Sequence, residues 1–599
     1  MGDLVSIAYP ASAGVNTANE PAYFDGKERG HFIQQANNLR IYHGRWRTRY
    51  RVVGQQITGT DETVAQWRAD HTQSAMWYLP QDGQGVHYSG TGPDRLVESA
   101  AGRLYTLTPT NTGFEVLDVS GGMQAYPYLR MAWLTQAENY VIRTDGKSQT
   151  QIWSGKGTVF GSPGYNPNAK DRSRTPNAAG PSVYAGGRMY VTVFDRRILV
   201  SDSLHQTDQQ SAADILAYTD QSYDITNVYF APPASEKDIV ALGVSISSGF
   251  DNSRAQGEVM SMCRGPGIWA MALGIPRDQW ATAQMRHSRS KETAACGPKA
   301  FFVRDGDILM RTNRGIESLN LLARERQMLG NATIDLGADM FEILQSDDEE
   351  SLLYCSLINP LRWSRMLCTV GPVIDGPRHY HLGWIAANWN PNSVREPQGM
   401  AWEGVGTMDK RLGRVIQFLP AVLDGRTRVV ALTDREDGTS KGLVEITEEE
   451  GPDMLDDGTA VPVEWSLLTR QLTVGGPYAN TGMGNIYAYL HEIKTDVTLR
   501  LYVRDDKHRD FMPLRSVTVK FDRQQCGQNS DRRILISKLP EKLKDSRWIQ
   551  FYLAGSGVTS IDFAAKPAPP GGEATNPDPD CIVIQSDPLC GVDVFKQSR

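Results

Sequence analysis

The sequence lacks the features that would place it in a membrane or on a secretory route. No window of its 599 residues approaches the roughly 18 uninterrupted apolar residues that a membrane-spanning helix needs. Residues 1–6 show no basic patch followed by an apolar stretch, so we expect no secretory signal. The sequence therefore predicts a protein that folds in the cytoplasm of the cell that makes it.

Cysteine is sparse, and its spacing builds no metal site. The seven cysteines stand at 263, 296, 355, 368, 526, 581 and 590. They form no Cys-x-x-Cys pair and no Cys/His spacing that is typical of zinc. An odd number without a framework indicates buried free thiols in a reducing compartment. Cys581 and Cys590 are spaced to close a loop, but a pair of free thiols is the favoured interpretation.

The chain also lacks the basic excess of a protein that grips nucleic acid. It has 69 acidic and 62 basic residues, which gives a net charge of −7. Proteins that neutralise phosphates are usually basic or carry a long basic stripe. Sequence-independent binding of DNA is therefore not predicted from the composition.

Catalytic signatures are missing as well. There is no Gly-x-Ser-x-Gly and no His-Glu-x-x-His. The tripeptide at 146–148 resembles the end of a phosphate loop, but Val141 stands where that loop needs its first glycine. His379 and His381 share one face of a strand, and two ordinary histidines are favoured over a metal pair because no third ligand is near in sequence. We therefore predict no catalytic residue, no cofactor and no metal, and a protein that is not an enzyme.

What the sequence does contain is a recurring β-hairpin. Apolar and polar residues tend to alternate in the arms, and Gly- or Asp-rich turns lie in or beside each copy. The four copies are 101–107 with 114–118, 187–193 with 197–202, 298–303 with 307–311, and 428–432 with 442–446. Irregular repetition of hairpins over several hundred residues is typical of a β-propeller. The predicted fold class is all-β.

Composition divides the chain into three predicted parts. Residues 1–60 read as an extended N-terminal arm, 61–455 as the β-propeller, and 456–599 as a C-terminal β-sandwich with a Pro/Gly-rich linker near 566–580. The acidic run that starts at 448 marks the boundary between the last two parts. Short helices are expected at 63–78 and 317–328, and a strand at 351–354.

One cationic segment stands out in the arm. Arg40, Arg45, Arg47, Arg49 and Arg51 occur with no acidic residue between them, and alternate arginines of a strand share one face. Such a face is either an anchor for an acidic neighbour or phosphate, or a charged edge strand that discourages aggregation. The sequence weighs these two interpretations evenly.

Three stretches resemble the tail nozzle proteins of short-tailed bacteriophages, also called tail tubular or tail stabilisation proteins. Near the N-terminus these are Asn-Asn-Leu-Arg at 37–40 and Gly-Arg-Trp-Arg-Thr-Arg at 44–49. The second stretch runs from Cys-Gly-Pro at 296–298 through Arg-Asp-Gly-Asp-Ile at 304–308 to Gly-Ile-Glu-Ser-Leu at 315–319. The third is Gln-Phe-Tyr-Leu-Ala-Gly-Ser-Gly at 550–557 with Thr-Ser-Ile at 559–561. The order of the parts matches this family across most of the chain.

The resemblance implies a structural virion protein. Its copies would form a homo-oligomeric ring, a hexamer by this resemblance, below the portal and its adaptor, and would bound the channel for DNA ejection. The implied partners are further copies, the adaptor and portal proteins, and tail fibre, spike or needle proteins, with transient passage of viral DNA and no membrane. The implied location is the virion tail, assembled in the host cytoplasm. The alternative is a propeller-based tail-associated glycosidase or glycan-binding protein.

Within that interpretation the arginine segment is predicted to be an assembly contact. Crowded arginines need acidic partners, which a neighbouring subunit or the adaptor would supply as charge-assisted hydrogen bonds. Arginines that lined the channel would instead hold passing phosphates.

Overall fold

The computed structural model of the chain describes most of the propeller and sandwich. The described residues are 4–6, 34–42, 45–80, 93–137, 140–161, 179–185, 188–193, 197–200, 239–246, 257–264, 267–272, 287–290, 293–304, 307–319, 336–337, 340–360, 365–389, 400–435, 440–469, 471–473, 482–483, 485–491, 493–521, 533–538, 546, 548–566 and 593–595. Cys526, Cys581 and Cys590, the linker near 566–580 beyond Lys566, and the Asp305–Gly306 turn lie outside them.

The N-terminal segment forms short strands and one helix. They are β1 (Leu4–Ser6), β2 (Gln35–Asn37), β3 (Leu39–Tyr42), β4 (Arg45–Thr48), β5 (Val52–Gly54), β6 (Gln56–Thr58) and α1 (Asp61–Ala69). Thr60 caps α1 by accepting a hydrogen bond from the Thr63 amide at 3.2 Å, and Trp67 is its buried residue. The expected helix at 63–78 is therefore wrong in its second half, which is a strand.

The middle of the chain is a succession of antiparallel strands. They are β7 (Thr72–Tyr78), β8 (Arg95–Ala100), β9 (Arg103–Pro109), β10 (Gly113–Asp118), β11 (Trp133–Ala137), β12 (Tyr140–Thr144), β13 (Gln151–Trp153), β14 (Phe160–Gly161), β15 (Ser182–Ala185), β16 (Arg188–Val193), β17 (Arg197–Val200), β18 (Ile239–Ile246), β19 (Gly257–Cys263), β20 (Gly267–Ala272), β21 (His287–Ser290), β22 (Phe301–Arg304), β23 (Asp307–Arg311), β24 (Ile316–Ser318), β25 (Leu357–Ile358), β26 (Arg365–Asp375), β27 (Arg378–Trp389), β28 (Met400–Gly406), β29 (Arg414–Leu423), β30 (Arg426–Asp434) and β31 (Lys441–Ile446). A short helix, α2 (Phe341–Gln345), and a 3₁₀ helix at Ser351–Tyr354 separate β24 from β25. The strand expected at 351–354 is therefore wrong. The second expected helix is wrong at residues 317–318, which belong to β24, and its residues 320–328 lie outside the described part of the chain.

These strands form the blades of a β-propeller. Within the described residues, seven antiparallel meanders follow one another: β7–β10, β11–β14, β15–β17, β18–β21, β22–β24, β25–β28 and β29–β31. Their first strands are neighbours in a circle, from β7 to β11, β15 and β18, then from β22 to β25, β29 and back to β7. Gly243 of β18 and Phe301 of β22 make the remaining contact. All four hairpins predicted from the sequence are present with paired arms.

Two hairpin turns show why the local sequence specifies the blades. Ala101 and Gly102 between β8 and β9, and Asp424 and Gly425 between β29 and β30, all have positive φ. Two-residue turns with positive φ at both positions match the twist of antiparallel strands. A side chain at Gly102 would also collide with the Ala125 carbonyl.

The last part of the chain adds a β-sandwich. Before it, β32 (Asp453–Met454) and β33 (Ala460–Val461) continue the seventh blade beyond β5. The sandwich strands are β34 (Glu464–Leu468), β35 (Leu472–Thr473), β37 (Asn485–His491), β38 (Val497–Asp505), β39 (Met512–Val519), β40 (Arg533–Lys538), β41 (Trp548–Ser556) and β42 (Ser560–Lys566). Two further strands, β36 (Gly482–Met483) and β43 (Asp593–Phe595), form a small sheet with β1. One sheet has the order β34–β41–β38–β39, and the other has the order β3–β4–β42–β37–β40. The protein is thus all-β, with a propeller, a C-terminal sandwich and an extended arm.

The arm connects the two parts. Strand β2 pairs with β28 of the sixth blade and with β34 of the sandwich. Strand β5 extends the seventh blade through β31, and β6 extends the first blade through β10. Because β3 and β4 belong to a sandwich sheet, the arm pairs with both parts of the molecule.

Candidate functional site

The arginine segment lies where arm, propeller and sandwich meet. Arg40 of β3 and Arg47 of β4 are directly opposed in the hairpin, and β4 also pairs with β42 of the sandwich. Trp46 points from this hairpin into the core and is 2% exposed. The hairpin is therefore anchored on its apolar face and presents cations on the other.

A single carboxylate balances the two opposed arginines. Glu450 binds Arg40, accepts a hydrogen bond from Arg47 at 3.0 Å and receives another from Lys494 at 2.6 Å. Like charges directly opposite each other across two strands are destabilising. Glu450 offsets that repulsion, so the acidic run supplies what the hairpin requires.

Arg49 makes the most extensive set of contacts in the cluster. Its guanidinium donates to both carboxylate oxygens of Asp453, at 2.8 and 2.6 Å, and to the side-chain oxygen of Asn38 at 3.0 Å. It also donates to the carbonyls of Thr407 and Tyr50. Arg49 is buried at 7% exposure, as is Asp453 at 2%. A buried fork-to-carboxylate pair with every oxygen bonded fixes geometry as well as charge.

The remaining arginines of the segment differ in their surroundings. Arg51 pairs with Glu449 at 2.6 Å, and this carboxylate is 71% exposed, so the pair contributes little stability. The backbone of Arg45 pairs with Tyr42, and its side chain lies outside the described residues. Four of the five predicted site residues are therefore brought together, and Arg45 is placed only by its backbone.

The acidic partners come from this chain. We expect them from the sequence in a neighbouring subunit or the adaptor, whereas the structure places Glu449, Glu450 and Asp453 against the arginines. In the sequence, these acids indicate only a domain boundary. The role of the segment in assembly stays a prediction, and an external acidic partner is not required for the four described side chains.

Asn38 is a second residue that holds the junction together. Its φ of 55° is in the left-handed region that asparagine tolerates. Its amide donates to Thr407 Oγ1 at 2.9 Å and to the Glu464 carbonyl at 2.7 Å, while its oxygen accepts from the Thr407 amide at 2.7 Å. One side chain therefore bonds the loop between the sixth and seventh blades and the first long strand of the sandwich.

Tyr50 links the arginine segment to a further buried pair. The Arg40 guanidinium lies 4.3 Å from the centre of the Tyr50 ring, and Arg365 donates to the Tyr50 hydroxyl at 2.7 Å. Arg365 also binds Glu403 through two hydrogen bonds of 3.0 and 3.1 Å. Burial lowers the pKa of Arg40, with a further contribution from the charge of Arg365. No local pattern in the sequence indicates this contact.

A groove of about 800 Å³ opens beside the cluster. One wall is the loop that carries Lys410, and the other is the open face of the sandwich with Arg500 and Tyr552. Asn38 and Arg49 lie at its base. The lining combines polar and apolar side chains and carries charges of both signs.

The axis of the propeller is crossed by side chains. Lys299, which leads into the fifth blade, donates from Nζ to the Ala75 carbonyl in the first blade at 3.1 Å. Gln417 of the seventh blade bonds the amide and carbonyl of the same Ala75 at 3.0 and 2.8 Å. Burial lowers the pKa of Lys299 to about 8. The groups described at this position are the Lys299 ammonium and the Gln417 amide. They are not a pair of carboxylates.

His379 and His381, considered above as a metal pair, make different contacts. His381 donates from Nδ1 to the Val415 carbonyl at 3.1 Å, and His379 packs its ring 4.4 Å from that of Tyr354. Over the described ranges, no cluster of His, Cys, Asp or Glu is arranged to hold a metal ion. Of the helices in that part of the chain, none has the length and hydrophobicity that a membrane crossing needs.

The fold and this junction define an all-β protein whose propeller is tied to a sandwich by its own N-terminal arm. No protein-family model matches the sequence, and no curated protein matches it.

Solved structures similar to it include the WD40 β-propeller domain of Doa1, at 8% identity and a TM-score of 0.33, covering 64% of this chain and 94% of that one. The structure of U3-55K is similar at 8% identity and a TM-score of 0.33, covering 63% of this chain and 96% of that one. The C-terminal WD40 domain of Sif2 is similar at 7% identity and a TM-score of 0.32, covering 63% of this chain and 97% of that one.

Proposed function

We propose that the protein is a tail nozzle subunit of a short-tailed bacteriophage, and that copies of it form a ring around the channel for DNA ejection. The proposal rests on the three stretches that resemble that family, because they meet in the folded protein. All three contribute side chains to one hydrophobic core: Leu39 and Trp46 from the first, Leu309 and Ile316 from the second, and Phe551 and Leu553 from the third.

Two of these stretches also bond each other directly. Thr48 Oγ1 and the Thr559 amide are 3.1 Å apart, and the Thr48 amide donates to the Thr559 carbonyl at 3.1 Å. The positions are more than 500 residues apart in sequence. Segments that resemble a family at separate places, and that meet in one core, support a common architecture more strongly than separate motifs do.

The proposed channel lies between copies and not within one propeller. In the described part of the chain, Lys299 of the fifth blade and Gln417 of the seventh both bond the Ala75 carbonyl of the first blade. A channel then requires several copies around a shared axis, joined by head-to-tail contacts that close into a ring. The net charge of −7 suits walls that repel phosphate.

The experiment is electron microscopy of the assembled particle, with labelling of this protein and a count of its copies. We expect a closed ring of identical copies on the tail axis below the portal and adaptor. A single copy per tail, or copies placed on the periphery like spikes, would contradict the proposal. In solution, the protein alone is expected to stay monomeric and to assemble upon addition of the adaptor.

A further inference from the structure

A pair of cysteines lies at the seam between the fifth and sixth blades. Cys296 precedes the fifth blade, and its amide donates to the carbonyl of Arg311 in β23 at 2.9 Å. Cys355 ends the 3₁₀ helix that leads into β25 of the sixth blade. The Cys296 side chain packs against Cys355 in one small apolar cluster.

Two hydrogen bonds to one carbonyl fix the distance between these residues. The Cys296 sulfur donates to the Leu352 carbonyl at 3.2 Å, and the Cys355 amide donates to the same oxygen at 3.0 Å. Gly297 makes this approach possible, because a side chain there would lie 2.1 Å from the Leu353 carbonyl oxygen. The Cys296 sulfur is therefore held against the backbone of Cys355.

A histidine lies beside the pair. His381 donates from Nδ1 to the Val415 carbonyl. Its other ring nitrogen, Nε2, is buried and lies next to the Cys355 thiol. The neighbouring Cys296 thiol, together with His381 and Arg311, holds the pKa of Cys355 well below its usual value, while burial raises the pKa of Cys296.

We propose that Cys296 and Cys355 form a thiol–disulfide site, in which a disulfide oxidant such as oxidised glutathione covalently joins the fifth and sixth blades. Cys296 is half-buried and is the thiol that the oxidant reaches, whereas Cys355 is fully buried. Cys296 therefore reacts with the oxidant first, and Cys355 reacts second.

The chemistry is a pair of thiol–disulfide exchanges. The Cys296 thiol gives its proton to solvent and, as the thiolate, attacks one sulfur of oxidised glutathione, which forms a mixed disulfide and releases one glutathione thiolate. The Cys355 thiolate then attacks the Cys296 sulfur, which forms the intramolecular bond and releases the second glutathione thiolate. Two protein thiols are oxidised, and one glutathione disulfide is reduced to two thiols.

The disulfide would add a covalent link to a seam that is otherwise held by packing and hydrogen bonds. On the proposed function, the protein is made in a reducing cytoplasm and later exposed in a released particle to an oxidising medium. The link would then form after release. The chemical test below does not depend on that role, so its result and that of the ring experiment are separate.

The test uses the full chain with its thiols reduced, incubated with oxidised glutathione and digested without reduction. Trypsin places Cys296, Cys355 and Cys368 on separate peptides, 292–299, 327–362 and 366–378. We expect a cross-linked species of the first two peptides, lighter than their sum by two hydrogen atoms. Thermal unfolding of the oxidised protein should occur a few degrees higher than that of the reduced protein.

Two variants make the result specific. Cys296→Ser should abolish both the cross-linked species and the shift in unfolding temperature. Cys368→Ser is the matched control, because Cys368 is a buried cysteine of another core cluster and should leave both unchanged. The proposal is overturned if Cys296 is found free or carries only glutathione, or if it pairs with Cys368.

Discussion

Arg40 and Arg47 lie directly opposite each other across the β3–β4 hairpin, and the same carboxylate, Glu450, binds both. Their sequence separation from Glu450 exceeds 400 residues. The cationic hairpin and the acidic run are therefore one electrostatic unit, although each looks like an independent charge run in the sequence. The contribution of this unit to the free energy of unfolding can be measured directly.

Glu450→Gln should destabilise the fold by about 2–4 kcal/mol, because it leaves two close arginines and Lys494 without their shared anion. Denaturant unfolding measures this loss. Glu449→Gln is the matched control, since its carboxylate is 71% exposed and its pair with Arg51 is worth about 0–1 kcal/mol. Equal losses for the two variants would show that the hairpin does not depend on Glu450.

Arg49→Lys should cost about 2–3 kcal/mol of folding stability, because an ammonium cannot serve Asp453, Asn38 and two carbonyls together. Arg411→Lys is the control, because Arg411 also contacts both oxygens of an aspartate, Asp409, but is 58% exposed. The unfolding temperatures of both variants test this expectation. If Arg49→Lys is as stable as the wild-type protein, the arginine segment has a role in assembly alone and not in folding stability.

Lys441 and Glu98 form a buried pair that ties the seventh blade to the first. Their atoms are 2.6 Å apart, and Glu98 also accepts hydrogen bonds from Trp67 and Thr72. Lys441→Met should cost about 3–5 kcal/mol, because it leaves a buried carboxylate without its cation. Adding Glu98→Gln should recover part of that loss. Additive losses in this double-mutant cycle would rule out the coupling.

His379 should make stability depend on pH in the acid range. Burial, with the charges of His381, His71 and Arg130, lowers its pKa from 6.5 to about 3. Between these values the unfolded chain binds a proton that the folded chain does not, so stability falls as pH drops below 6.5. His379→Phe keeps a ring against Tyr354 and should flatten this part of the stability curve.

The measurement is a series of unfolding curves collected from pH 3 to 7 for the wild-type protein and the variant. An unchanged slope in His379→Phe would assign the acid sensitivity to other groups.

The blades were predictable from sequence because their signals are local. Alternating residues and a turn such as Ala101–Gly102 lie within one hairpin, and neighbouring residues specify it. The helix expected at 63–78 failed for the opposite reason. Residues from Thr72 onward pair with β8, so a tertiary contact overrides a ragged helical pattern.

Local sequence patterns could not predict the arrangement of the site. Arg49 and Asp453 are 404 positions apart, and nothing near either residue indicates the other. The strand expected at 351–354 failed through a side-chain cap, because Asp348 binds the amide and hydroxyl of Ser351 and starts a 3₁₀ turn. The sequence identified the arginines, and the fold supplied their partners.

The pairing of the arm has a consequence for synthesis on the ribosome. Strands β2 to β5 are made early, yet their partners include β28, β31, β34 and β42, which are made only after residue 400. At about 5–20 residues per second, the arm waits roughly half a minute to two minutes for the last of them. During that time Trp46 has no core to pack against, and the arginines have no counter-charge until the acids at 449–453 are made.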